Sequence, residues 1–188
     1  SPATSRRGEE NADDLAAQFQ ALLKVSPEYY QVRVISAADN GQERVRVERE
    51  TDGSLLRIAD ADLQEKGHFD YVRTTLSLPE GGVFASNMEI NHELGAHAGT
   101  GTPTIRVASP IYRSGQAIGL VVINLSLAGV LSALGENLPA DLELYLTDKR
   151  GEFLVHPDPT KAFAFDRGQS ALVQDQFPAT RALFAGGS

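Results

Sequence analysis

Leu15, Phe19, Leu22 and Leu23 recur at i, i+4, i+7 and i+8, the spacing of one apolar stripe on a helix. Cap-type side chains from Asn11 to Asp14 precede the stripe, and the predicted helix ends near Ser26-Pro27. Residues 31–37 then read as a strand. Asp39-Asn40-Gly41 supplies the residue types that tolerate positive φ in a hairpin turn, and over 43–50 Val45 and Val47 alternate with Arg44, Arg46 and Glu48. Arg33, Arg44 and Arg46 form a basic patch on this hairpin that Glu43, Glu48 and Glu50 neutralise. That pattern predicts a solvated strand face.

A second helical stretch is expected from Asp60 or Ala61 through Leu63 and Lys66, followed by the aromatic run His68-Phe69-Asp70-Tyr71 and a break at 79–82. Residues 83–90 read as a third strand, 91–103 as a Gly-rich loop, 104–112 as a fourth strand, and 117–127 as a fifth. The fifth is almost wholly apolar, which places it centrally in the sheet. A short helix over 127–134 stops at Gly135, and Pro139 marks a boundary. A hairpin over 142–156 turns at 148–151, and a weak helix is expected at 179–184. Antiparallel strands with helices inserted on one side make an α+β plan.

The chain has 188 residues, 41% of them hydrophobic and 22% charged, a balance that supports a folded core. A net charge of −8 argues against nucleic-acid binding, which needs clustered cations to displace counterions from phosphate. The absence of cysteine removes thiol chemistry and cysteine-ligated zinc, and suits an oxidising compartment. No run reaches the roughly 18 apolar residues of a membrane span, and no signal-peptide core is present, so the segment is expected to be soluble. Its polar start and its end at 184–188 without a closing element suggest a piece excised from a longer protein.

Seven segments follow one another in a familiar order: YQVRVI at 30–35, GQERVRV at 41–47, LQEKG at 63–67, SNMEINHE at 86–93, PTIRVASP at 103–110, GLVVIN at 119–124 and FLVHPDP at 153–159. Together they resemble the double-Cache (tandem PAS-like, or PDC) periplasmic sensor regions of bacterial histidine kinases and diguanylate cyclases. The resemblance runs from about 14 to 184. It implies a disordered or linking segment over 1–13, a signalling helix over 14–29, a membrane-distal PAS-like domain over 30–138, and the start of a truncated membrane-proximal one over 139–188. It also implies a periplasmic sensor held to the inner membrane by segments outside this chain. The Arg-and-aromatic run with a distant Asp that holds amino acids in some Cache domains is missing, which disfavours an amino-acid ligand.

Enzymatic readings fail on spacing. His92 and His97 are five residues apart, whereas a zinc helix needs two histidines at i and i+4, and Gly95, Gly99 and Gly101 favour a loop. Gly99-Thr-Gly101 lacks the remaining residues of a phosphate cradle, His156 has no nucleophile at suggestive spacing, and Ser86 and Ser109 lack an elbow motif. Neither a catalytic site, a metal nor a cofactor is expected.

A PAS-like sheet carries its ligand in a hollow on one face. By strand alternation Thr104, Arg106 and Ala108 share a face. A charge such as Arg106 on an interior strand needs an anionic ligand or a carboxylate partner such as Glu89. Tyr71, Phe84 and Tyr112 are candidate aromatic walls, with Ser86, Asn91 and Asn124 as weaker candidate polar contacts, although each taken alone is better explained by the core. The expected function is extracytoplasmic sensing of a small molecule, with a homodimer through the N-terminal helix. The alternative is a ligand-free interaction module controlled by a partner protein.

Overall fold

A computed structural model of the chain describes residues 2–92, 101–136 and 138–185. They fall into two compact units, Ser1–Asn87 with Asn91–Ser126, and Met88–Ile90 with Leu127–Ser188. The division therefore comes after Ser126, ahead of the boundary expected at Pro139.

The first unit opens with α1 (Pro2–Val25). Its apolar stripe folds as expected, with Ala16, Phe19 and Leu23 buried against Val32, Val45 and Val47, and Leu15 and Leu22 packed at the margin. The helix starts at Pro2 rather than at 14, so residues 2–13 are helical and not the expected linker. Once the stripe is anchored, each added residue gains a hydrogen bond without a new nucleation cost, and Pro is well tolerated at the first helical position.

The strands are β1 (Tyr29–Ser36), β2 (Glu43–Arg49), β3 (Leu55–Arg57), β4 (Phe84–Ala85), β5 (Glu89–Ile90), β6 (Pro103–Arg113) and β7 (Gln116–Ser126). In the first unit they run in the order β3-β2-β1-β7-β6-β4, and every pairing is antiparallel. The apolar β7 is central, between β1 and β6, as its composition predicts. The hairpin turn is also as predicted, with φ of 53°, 54° and 70° at Asp39, Asn40 and Gly41. The expected single strand over 83–90 is instead two short strands. The expected helix over 60–66 is a single 3-10 turn, Asp60–Asp62, and the helix proper is α2 (Asp70–Leu76).

Both faces of the sheet are covered. Val32, Val34, Val45, Val47, Val121 and Ile123 face α1. The opposite face packs Ile35, Ala108, Leu120 and Val122 against Tyr71 and Val72 of α2. With both faces covered, most polar residues of β1 and β2 are interior, Arg44 being the exposed exception.

The second unit has its own small core. After α3 (Ala128–Glu136), β8 (Leu146–Thr147) and β9 (Phe153–Val155) form the expected hairpin, shorter than predicted. Asp148 holds its turn, accepting the N–H groups of Arg150 at 2.8 Å and Glu152 at 3.0 Å. Phe153, Leu154, Phe163, Ala164 and Val173 are buried, the last on α4 (Val173–Gln176), and the chain ends in α5 (Arg181–Phe184). Among the described residues no helix is long and apolar enough to cross a membrane.

Candidate ligand-binding face

The sheet face opposite α1 carries a buried polar cluster built on the central strands. Register sets Gln31 opposite Glu48 and Arg33 opposite Arg46 across β1 and β2, Gln31 opposite Asn124 across β1 and β7, and Arg106 opposite Asn124 across β6 and β7. Gln31, Arg33, Arg46, Glu48, Arg106 and Asn124 are all buried.

Two irregularities in β1 pairing enrich this face. The register shifts between Tyr29 and Gln31, leaving Tyr30 as an extra residue against β7. Its hydroxyl reaches Thr104 Oγ1 at 3.0 Å and Asn124 Nδ2 at 3.3 Å, so it joins the polar face and not the apolar one that strict alternation would assign it. A second shift, between Val34 and Ile35, sets Ile35 opposite Glu43 and leaves Arg44 as the extra residue, exposed. Glu43 is thereby turned inward.

That inward carboxylate organises the cluster. Glu43 Oε1 accepts from Arg33 Nη1 at 3.3 Å, and Oε2 accepts from Arg46 Nη1 at 2.9 Å and from the Gln64 N–H at 3.0 Å. Arg33 Nη2 also donates to Tyr71 Oη at 2.9 Å. Glu48 accepts from Gln31 Nε2 at 2.9 Å and lies 3.8 Å from Arg46 Nε. The Tyr71 ring then sits 5.7 Å from the guanidinium carbons of both Arg33 and Arg106, a geometry in which each cation gains from the ring's negative face.

Among the described residues of the unit, the buried cations Arg33, Arg46, Lys66 and Arg106 outnumber the buried carboxylates Glu43 and Glu48. Burial raises the Tyr30 pKa above the ordinary tyrosine value near 10, against the opposing pull of its contacts with Thr104 and Asn124 and of the charges on Arg106 and Arg33.

The residues singled out from sequence separate into two groups. Tyr71, Asn91, Arg106 and Asn124 meet at the cluster, with Arg106 Nη2 donating to Asn91 Oδ1 at 3.0 Å. Phe84 packs at the edge of the apolar core, and Ser86 Oγ is engaged with the backbone, accepting from the Arg106 N–H at 2.9 Å. Tyr112 donates to the Leu78 carbonyl at 2.8 Å, which fixes the segment after α2. Glu89 lies on β5, half-buried, in the second unit. Of the loop histidines and acid only His92 is among the described residues; Glu93 and His97 lie outside them.

Sequence reasoning missed Tyr30, Gln31, Arg33, Glu43, Arg46, Glu48 and Thr104. The reading of Arg33 and Arg46 as a solvated patch is corrected, since both are interior and only Arg44 faces water. The available signal was Arg33 itself, a charge inside the apolar run of a strand that pairs on both sides.

The second unit contains an open pocket of about 410 Å³ lined by Phe153, Lys161, Ala164, Leu172, Asp175 and Gln176 among others. Gln176 Oε1 there accepts from Lys161 Nζ at 2.7 Å and lies 3.0 Å from His156 Nε2.

A family model described as bacterial histidine kinase, sensor domain, matches residues 4–179. No curated protein matches the sequence. Solved structures with similar folds include the domain of a sensory box/GGDEF family protein from Vibrio parahaemolyticus (TM-score 0.77, 19% identity, 93% of this chain and 65% of that one). The extracellular domain of the histidine kinase vpHK1S-Z8 follows with a TM-score of 0.72, 17% identity, 97% of this chain and 66% of that one. The ligand-binding domain of the Pseudomonas aeruginosa PAO1 amino acid chemoreceptor PctC, solved with GABA, has a TM-score of 0.55, 15% identity, 94% of this chain and 73% of that one. At these identities the likeness is one of fold, and the chain spans about two thirds of the length of the first two.

Proposed function

Because the chain belongs to the bacterial histidine kinase sensor-domain family, we propose that its first unit binds a small anionic molecule on the polar sheet face and acts as the extracytoplasmic input of a membrane-anchored receptor. The observation that carries the reading is the pair of buried guanidiniums, Arg33 and Arg106, set at equal distance over Tyr71 on a covered sheet face. Planar forked donors of this kind match carboxylate or phosphate oxygens, and an aromatic wall with a few placed polar groups is what small-ligand sites use. The solved chemoreceptor domain with GABA supports a small-molecule ligand for this fold.

Ligand occupancy would be passed on through α1, whose packed stripe rests on the other side of the same strands. Because that stripe is taken up by the sheet, we place receptor dimerisation on the face of α1 left open, at Ala17, Gln18 and Ala21. A kinase or cyclase output lies outside this chain. The shift a ligand can impose is limited to its differential affinity for the two signalling states.

The test is thermal stability measured against a library of small carboxylates and phosphates, with Arg106→Gln as the control. A ligand of the native state must raise the midpoint in a concentration-dependent way, and the gain must vanish in Arg106→Gln. A flat response across the library favours the other reading, an interaction module whose charges satisfy one another, to which the three donors already on Glu43 lend weight.

A further inference from the structure

The orientation of the Asn124 amide is dictated by a chain of neighbours. Glu48 as a carboxylate only accepts, so the Gln31 atom that meets it at 2.9 Å is the Nε2 donor. Gln31 Oε1 must then face Asn124, and the atom that meets it at 3.2 Å is Nδ2. On the other side, Thr104 Oγ1 gives its proton to the Thr102 carbonyl at 3.0 Å, so Tyr30 is the donor in the 3.0 Å contact with Thr104. Tyr30 Oη is thereby left as an acceptor for the second Nδ2 proton, at 3.3 Å. Both amide protons are used, and Oδ1 is turned the other way.

Asn124 Oδ1 has no hydrogen-bond partner, on a side chain only 1% exposed. A buried acceptor left unmade is destabilising, and native proteins seldom keep one without a use. The relay from Glu48 and the lock from Tyr30 prevent the amide from flipping to relieve it. Asn124 is paired with Arg106 of β6, on the face that carries Arg33.

Resting on the reading that this face binds an anion, we propose that Asn124 Oδ1 selects the ligand's second functional group, so that the site takes a small hydroxy acid: a carboxylate for the guanidiniums with a neutral hydroxyl donor beside it. A deoxy acid leaves Oδ1 unmade. An amino acid places an ammonium in the field of Arg33 and Arg106, and like charges in a buried site repel strongly.

Titration calorimetry of the chain with two matched sets tests this: propionate, lactate and alanine, then succinate, malate and aspartate, which differ at one carbon by hydrogen, hydroxyl or ammonium. In the set that fits the site, the hydroxy acid is expected to bind at least about tenfold more tightly than its deoxy partner, and more tightly than the amino acid. Asn124→Leu, close in size, is expected to equalise hydroxy and deoxy acids. A crystal structure with the bound hydroxy acid gives a readout independent of the variant's folding, with the hydroxyl within hydrogen-bond distance of Oδ1. Equal affinities within both sets, tighter binding of the amino acid, or a bound acid with only water on Oδ1 overturns the inference and leaves the anion site standing. No binding by any of the six overturns the inference, and a flat response to the phosphates as well removes the anion site.

Discussion

Arg33 and Glu43 form an ion pair at 3.3 Å with both side chains fully excluded from solvent. Two charges taken out of water together are held by each other and by the hydrogen bonds around them, so the pair is far more sensitive to the loss of one member than a surface pair is. Glu43→Leu strands Arg33 and Arg46 on that side and is expected to cost about 3–5 kcal/mol in urea denaturation. Arg44→Ala, one residue along the strand but exposed, is expected to change stability by less than about 0.5 kcal/mol. Equal effects of the two would contradict an interior Glu43.

Tyr71 makes two separable contributions. Its hydroxyl accepts from Arg33 Nη2, and its ring faces Arg33 and Arg106. Tyr71→Phe removes only the first and is expected to cost roughly 1–2 kcal/mol, the range for a buried hydrogen bond to a charged group. Tyr71→Leu removes both, opens space beside Val72, and is expected to cost at least about 1 kcal/mol more. Chemical denaturation of the two variants side by side separates ring from hydroxyl.

The contrast between the helix stripe and the polar cluster explains what could be read in advance. Leu15, Phe19, Leu22 and Leu23 carry a period, and period is enough to place a helix face against a sheet. The turn at Asp39-Asn40-Gly41 and the central position of β7 were legible for similar reasons, since residue type and unbroken apolarity each have one dominant explanation. Arg33 and Arg46 failed because alternation says only that they share a face. Whether that face meets water depends on α2, which sits 24 or more residues further on. Tyr30 and Glu43 failed for a different reason: an extra residue in one strand inverts parity, and nothing in the residues 29–35 or 43–47 marks where β1 would slip. Of the candidate site, Tyr71, Asn91, Arg106 and Asn124 were reached from β6, β7 and the aromatic run, while the β1 and β2 half of the cluster was invisible.

Gly41 and Gly67 tie the first hairpin to the segment entering α2. The Gly67 N–H donates to the Asn40 carbonyl at 2.8 Å, and a Cβ on Gly67 would fall 2.4 Å from that oxygen. Backbone atoms on both sides cannot yield without breaking the hydrogen bond. Gly67→Ala is therefore expected to cost about 1–3 kcal/mol and to lower the melting temperature. Gly53→Ala is the control: φ there is 87° but the space is open, so only backbone strain of about 1–2 kcal/mol applies. Because strain and clash act by different routes, combining Gly67→Ala with Asn40→Gly should not relieve the first, since the contact is with a backbone oxygen.

Tyr30 gives the molecule an alkaline limit. Its hydroxyl donates within a buried network and burial holds its pKa above the ordinary value near 10, so the folded chain keeps the proton at a pH where the unfolded chain has lost it. Stability follows the difference in bound protons between the two states: below the unfolded pKa both hold the proton and the contribution is whole. From about pH 10 upward the unfolded state binds fewer, so stability falls with pH until the folded pKa is passed. Tyr30→Phe removes the titrating group. It is expected to lower stability at pH 7 by about 1 kcal/mol through the lost hydrogen bond, and to flatten the decline above about pH 10 relative to the parent chain. Urea midpoints measured across that window check both halves. An unchanged alkaline slope in the variant would mean that Tyr30 is not the residue whose buried hydroxyl sets it.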